Sequence, residues 1–382
     1  MIISREKSIA WLLIISGMFV ACNIYTMIPI YSVISDEWDV SASSLTWAST
    51  SFTLLYALGL LIFGPLSDKL GRKEIIVPGM LLFSITSLLV SYAQSPGELI
   101  LFRGLQGFAG GSFAPVAFAY TFDLFHGKFR ILVLSLINTG FLVAGILGQI
   151  ISAGLAEWIH WRSVYLFFSL SYLIFFICFI LLLPRMKSVT AAKKMIPLKL
   201  LGTLLISKKL FFCYVITFSL LLTTVSFYDA VSQYLSTTLT VSEMFIVRGI
   251  GLLGALLSLW GGAIQAKYRD KGSLLIGFAL LLTGLTFMMI FPSYIVITLS
   301  SIFLIAAISI LIPTIISVIG TIGLENRGST IALYSFTLLV GASFGSLLTA
   351  IFDFRGVLMC LFLYGIVNIF LTFQISYPNS SD

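Results

Sequence analysis

Three ionisable side chains fall inside long apolar runs: Arg103, Asp229 and Arg248. A charge held in hydrocarbon is costly, so such residues mark a solute or proton path, a buried ion pair, or a side chain that reaches out to the interface. Arg103 opens the stretch Arg103-Gly104-Leu105-Gln106-Gly107. Arg103 and Gln106 are three apart and share a helix face with Gly107, Gly110 and Gly111. That suits a helix with a polar face toward a cavity and a small face packed tightly. Ser226, Tyr228, Asp229 and Gln233 form a second polar cluster, and Asn23, Tyr25, Thr26 and Gln149 interrupt other runs. Asp229 is the acid placed firmly within a run. It is the candidate to take up and release a proton, its charge offset by Arg103 or Arg248. The neutral residues are candidates to bind a small polar solute, with helix–helix hydrogen bonding as the competing role.

Catalytic and cofactor chemistry find no foothold. His126 and His160 lie far apart in loops, and Cys22, Cys178, Cys213 and Cys360 sit in apolar runs without paired spacing. Neither a disulfide nor a metal site is expected from them. The sequence carries no nucleophile triad, phosphate loop or dinucleotide fingerprint, so it reads as non-enzymatic, with no cofactor.

Membrane-spanning helices must position these residues. Of 382 residues, 59% are hydrophobic and 10% charged, against about 25% charged in soluble domains. Apolar runs of about 20 residues recur along the chain, and helices are the form such runs take in lipid. Twelve spans are predicted. The first run continues past Cys22, so a cleaved leader is not expected. Span four covers about Glu98 to Phe122, span five about Ile131 to Leu155, span seven about Leu210 to Leu235, and span eight about Val241 to Ala266. Pro184 to Lys209 carries seven cations and no acid and reads as a linker. The division is therefore 1–183, a linker at 184–209, and 210–382. All Lys and Arg except Arg103, Arg162, Arg248 and Arg355 fall on one side of such a bundle. That side is the cytoplasm, and both termini lie there. This asymmetry explains the net charge of +7 better than a nucleic-acid partner does.

Between spans two and three stands Gly64-Pro65-Leu66-Ser67-Asp68-Lys69-Leu70-Gly71-Arg72-Lys73. Gly64 permits close helix approach, Gly71 supplies a turn that glycine adopts cheaply, and Asp68 is a lone carboxylate among cations. A carboxylate at a helix end can accept from the amino terminus of a neighbouring helix, and span eleven starts on that side. An internal repeat supports two equivalent halves: Arg130 and Arg327 are 197 residues apart, as are Gly148 and Gly345. Trp161-Arg162 before span six is echoed by Phe354-Arg355. The segment around Gly262, Lys267, Arg269 and Lys271 is a weak echo of the loop that has lost its aspartate.

The loop closely resembles the signature between helices 2 and 3 of the major facilitator superfamily, and Arg103-x-x-Gln106-Gly107 resembles that family's helix-4 motif. The resemblance covers nearly the whole chain. It implies an all-α membrane protein of twelve transmembrane helices in two pseudo-symmetric six-helix bundles, working by alternating access. Length and short loops look like the drug–proton antiporter branch. That implies export of a small molecule in exchange for protons, by a monomer in the cell membrane with lipid around it. In this picture Gly64, Asp68, Gly71 and Arg72 form the cytoplasmic gate, and Arg103 serves substrate or proton coupling. The branch has a Gly-Pro on helix five where this chain has Gly148-Gln149, which weakens that assignment. A proton-independent or uptake carrier for a small polar metabolite would share every motif except the coupling acid.

Overall fold

The computed structural model describes residues 2–185, 197–235 and 241–375. Its helices are α1 (Ile2–Tyr25), α2 (Tyr31–Trp38), α3 (Ala42–Leu70), α4 (Lys73–Ser91), α5 (Pro96–Gly110), α6 (Ala114–Leu124), α7 (Gly127–Trp158), α8 (Trp161–Leu182), α9 (Pro197–Ile206), α10 (Lys208–Leu235), α11 (Val241–Gly251), α12 (Gly261–Ile290), α13 (Tyr294–Ile322), α14 (Arg327–Ile351) and α15 (Phe354–Gln374). Ten stretches are long and apolar enough to cross a membrane. One of them, Ile246–Ile290, is two spans: its helix breaks at Arg269, whose φ of 57° is non-helical. A further span is divided into α5 and α6, too short singly to cross. This gives twelve, in an all-helical membrane protein.

Local sequence explains the breaks. Span four, expected as one run, bends at Gly111–Phe113, between α5 and α6. Pro115 lacks the N–H that would bond one turn back, and the preceding glycines stiffen nothing. Pro29 interrupts span one in the same way, leaving α2 as a separate piece. Part of the basic linker is helical, as α9, while 186–196 lie outside the described residues.

The chain forms two compact units. The first holds Met1–Phe125, Gly140–Pro197 and Glu325–Ala332; the second holds His126–Thr139, Leu198–Leu324 and Leu333–Asp382. In the first, glycines bring α3 and α5 together. A Cβ on Gly59 would lie 2.5 Å from the Phe108 carbonyl, and one on Gly111 2.7 Å from that of Tyr56. Ser84 and Ser169 exchange hydroxyl-to-carbonyl hydrogen bonds of 2.8 Å each way between α4 and α8. Small residues admit backbones this closely because lipid itself offers helices no hydrophobic drive to associate. The repeat shows in the bonding. Asn23 donates to Tyr172 in the first unit and Asn368 to Ser219 in the second, and each pair is 149 residues apart.

Candidate functional site

The signature loop builds an ionic latch at the start of α14. Gly71, at φ 106°, ends α3 and turns the chain directly into α4. The Asp68 carboxylate accepts from the Gly328 and Ser329 amides, both at 2.7 Å, and from the Ser329 hydroxyl at 2.9 Å. These amides belong to the first turn of α14, where no helical carbonyl meets them and the helix dipole favours an anion. Arg72 donates to Asp68 at 2.6 Å, to Ser67 at 2.7 Å and through Nε to Asp123 at 3.1 Å. Asp123 also accepts from Arg327 at 2.6 Å, whose guanidinium lies 4.9 Å from the Phe122 ring. Two acids face two arginines, so the set is neutral. A Cβ on Gly64 would lie 2.6 Å from the Gly328 carbonyl and strike Ala332. Only glycine lets α3 come this near to α14. Asp123 is the member that sequence reasoning missed. It stands alone after span four, 51 residues from Arg72, with no local pattern to flag it.

A second cluster lies inside the first unit. Arg103 is fully buried. It donates to Gln106 Oε1 at 2.5 Å and to the Asn23 carbonyl at 3.0 Å, and lies 4.1 Å from the centre of the Phe52 ring. Gln106 passes its own donors to Asn23 Oδ1 at 2.9 Å and Ser87 at 2.8 Å, while Asn23 donates to Tyr172. Three predicted residues, Asn23, Arg103 and Gln106, thus meet directly. Tyr172 and Ser87 join them unforeseen, because a lone serine or tyrosine in an apolar helix carries no sequence signal. Among the described residues no carboxylate lies within ion-pair distance of Arg103. Tyr25 is half-buried and packs near Gly145. Gln149 turns back to its own helix, donating to the Gly145 carbonyl at 2.6 Å.

At the other end of the first unit Glu37 gathers the entry to α8. It accepts from Trp161 Nε1 and Arg162 Nη1, each at 2.6 Å, and Arg162 also donates to the Ala93 carbonyl at 3.0 Å. In the second unit Arg248 lies 5.6 Å from the Tyr228 ring centre. Asp229 is half-buried on α10 beside Tyr228. The side chain of Gln233 lies outside the described residues. The echo of the loop keeps an acid after all: Gln265 donates to Asp270, just beyond the break at Arg269.

A family profile described as the Major Facilitator Superfamily matches residues 13–345. Multidrug resistance protein 3 of Bacillus subtilis (strain 168) is 34% identical over 125 residues, 33% of this chain. That alignment spans only 24% of the relative's length. An "Uncharacterized transporter" of Buchnera aphidicola subsp. Baizongia pistaciae (strain Bp) is 26% identical over 91% of this chain and 87% of its own. The proton:xylose symporter XylE, solved with 6-bromo-6-deoxy-D-glucose, superimposes with a TM-score of 0.73 at 15% identity, covering 97% of this chain and 95% of that one. At that identity the likeness concerns the fold.

Proposed function

The chain belongs to the major facilitator superfamily, and on that premise we propose that it exports a small molecule from the cytoplasm in exchange for protons. Alternating access requires a closure strong enough to hold and polar enough to part. The Asp68–Gly328–Ser329 latch carries this reading. Its members are hydrogen bonds and ion pairs between side chains 10–15% exposed, so water can replace each bond as the contact separates. An apolar seam of the same size would instead expose hydrocarbon on opening. The cations of the same loop favour the cytoplasm for this end, where the latch would shut the path while solute leaves outward.

The Arg103–Gln106–Asn23 cluster supplies fixed donors deep in the first unit, and Asp229 is the acid for proton exchange in the second. The name of the Bacillus relative favours efflux. Solute identity stays as broad as a lipophilic cation, a sugar or a metal-chelating metabolite. The experiment uses purified protein in proteoliposomes loaded with a pH-sensitive dye, under an imposed proton gradient. Members of those three compound classes are added in turn. Proton movement triggered by one class, and absent in Asp229→Asn, establishes antiport. Exchange of labelled solute with no proton movement replaces it with a proton-independent carrier.

A further inference from the structure

In the second unit, the first turns of α7 run beside the glycine start of α12. A Cβ on Gly261 would lie 3.1 Å from the Ser135 hydroxyl, and one on Gly262 3.0 Å from the Lys128 carbonyl. Lys128 and Ser135 are two helical turns apart, so the approach is sustained along α7. The polar groups of this seam are buried and unmet. Ser135 Oγ, Asn138 Nδ2 and Thr139 Oγ1 have no hydrogen-bond partner among the described residues, and Ser135 and Asn138 are 0% and 4% exposed. Their spacing puts all three on one face of α7. Gln265, one turn beyond Gly261 on α12, keeps a buried Oε1 that is likewise unmet, and its amide is given to Asp270. Two hydroxyls and an amide donor along one face of α7, with an amide acceptor one turn beyond the contact on α12, are what a chain of water molecules satisfies, each making two to four bonds. So close a helix approach leaves no width for a solute.

We propose that this seam holds a file of bound water giving the cytoplasm a hydrated path into the membrane. At its mouth stands Asp270, with Arg130 acting on the same carboxylate. At its inner end stands Thr139, twelve residues past the start of α7. At 1.5 Å per residue that is about 18 Å, near the middle of a hydrocarbon core about 30 Å thick. In the antiporter proposed above, the file is the route by which the coupling proton leaves the protein for the cytoplasm. Each water oxygen accepts a proton on one side and releases one on the other, so charge passes with the waters kept in place and their hydrogen-bond direction reversed, to turn back before the next proton.

The test is radiolytic hydroxyl-radical labelling of the full-length protein in liposomes, because the radicals form from water already in place. Three thiols are compared in a background lacking the native cysteines: Asn138→Cys, Thr139→Cys, and Val133→Cys, which is equally buried but on the opposite face of α7. Oxidation at the first two about tenfold above the third is the expected result. Equal, low oxidation at all three overturns the file. Adding Asn138→Leu should lower labelling of Thr139→Cys to the Val133→Cys level, and unchanged labelling refutes a file held by Asn138. Absence of solute-driven proton movement in the unmodified protein would refute antiport alone, since the labelling contrast needs no solute.

Discussion

The loop at Gly64–Lys73 and its counterpart at Gly261–Lys271 occupy equivalent places, yet they are built from opposite materials. At the shared offset of 197 residues, Gly64 matches Gly261, Asp68 matches Gln265 and Arg72 matches Arg269. Asp68 is saturated: three donors from α14 and one from Arg72 meet its two oxygens. Gln265 gives its donor to Asp270 and leaves its oxygen unmet. The turn differs as well. Gly71 takes positive φ freely, whereas at the echo positive φ falls on Arg269, a strained position costing about 1–3 kcal/mol in a residue with a Cβ. The first unit thus carries a carboxylate whose oxygens are fully paired, and the second an amide left underpaired at the equivalent position. Pseudo-symmetry of backbone does not bring symmetry of energy.

Substitutions test that contrast, and the largest effect should come from Asp68→Asn. It keeps the shape of the carboxylate but loses charge-assisted bonds worth about 1.5–3 kcal/mol each. Solute flux in proteoliposomes should fall by about 100-fold, the population shift that roughly 3 kcal/mol produces, while the detergent-solubilised protein still elutes as a single species. Wild-type flux would dissolve the distinction between the two loops. Next comes Asp123→Asn, which removes the carboxylate that Arg72 and Arg327 share and leaves Arg72 to Asp68 and Ser67. Thermal unfolding should show a loss of about 2 kcal/mol, below the figure for a fully buried pair because these groups are partly wet. If Asp123→Asn and Arg327→Gln destabilise additively in the double variant, the two do not act as one unit. Gln265→Leu should lower flux by about tenfold, less than Asp68→Asn, because it removes one neutral donor from Asp270 and one acceptor from the water seam but breaks no charge pair. A loss as deep as that of Asp68→Asn would make both loops gates. The smallest effect is expected of Asn368→Ala, at about 0.6 kcal/mol for one interhelical bond in a membrane, read from the same unfolding transitions.

Most of the latch was legible in the chain because nature wrote it in ten consecutive residues. Gly64, Asp68, Gly71 and Arg72 stand in fixed order, and the amino-terminal partner could be placed by span number. Asp123 could not, since its two arginines arrive from Arg72 and Arg327 along separate stretches. The echo misled for a related reason: the position of Asp68 holds Gln265, while the acid moved five residues on to Asp270. The fold was legible from composition and run length, yet the interruptions at Pro29, Gly111 and Arg269 were not. A hydrophobic run reports only that a segment avoids water, whereas a bend depends on which neighbours approach the backbone. The inner cluster was half legible. Arg103 and Gln106 share a helix, but their bond to Asn23 depends on α1 and α5 meeting.

Arg103 carries a consequence of another kind. It places a guanidinium in the buried interior of an apolar span, and its described partners are a carbonyl, an amide and two aromatic rings. A lone charge that shifts with its helix does electrical work, about 2.3 kcal/mol for each elementary charge carried through a full 100 mV. Even a displacement across a fraction of that field makes the helix motion a small electric current. In the antiporter proposed above, any step that moves α5 along that field would respond to membrane voltage, whatever the charge of the solute.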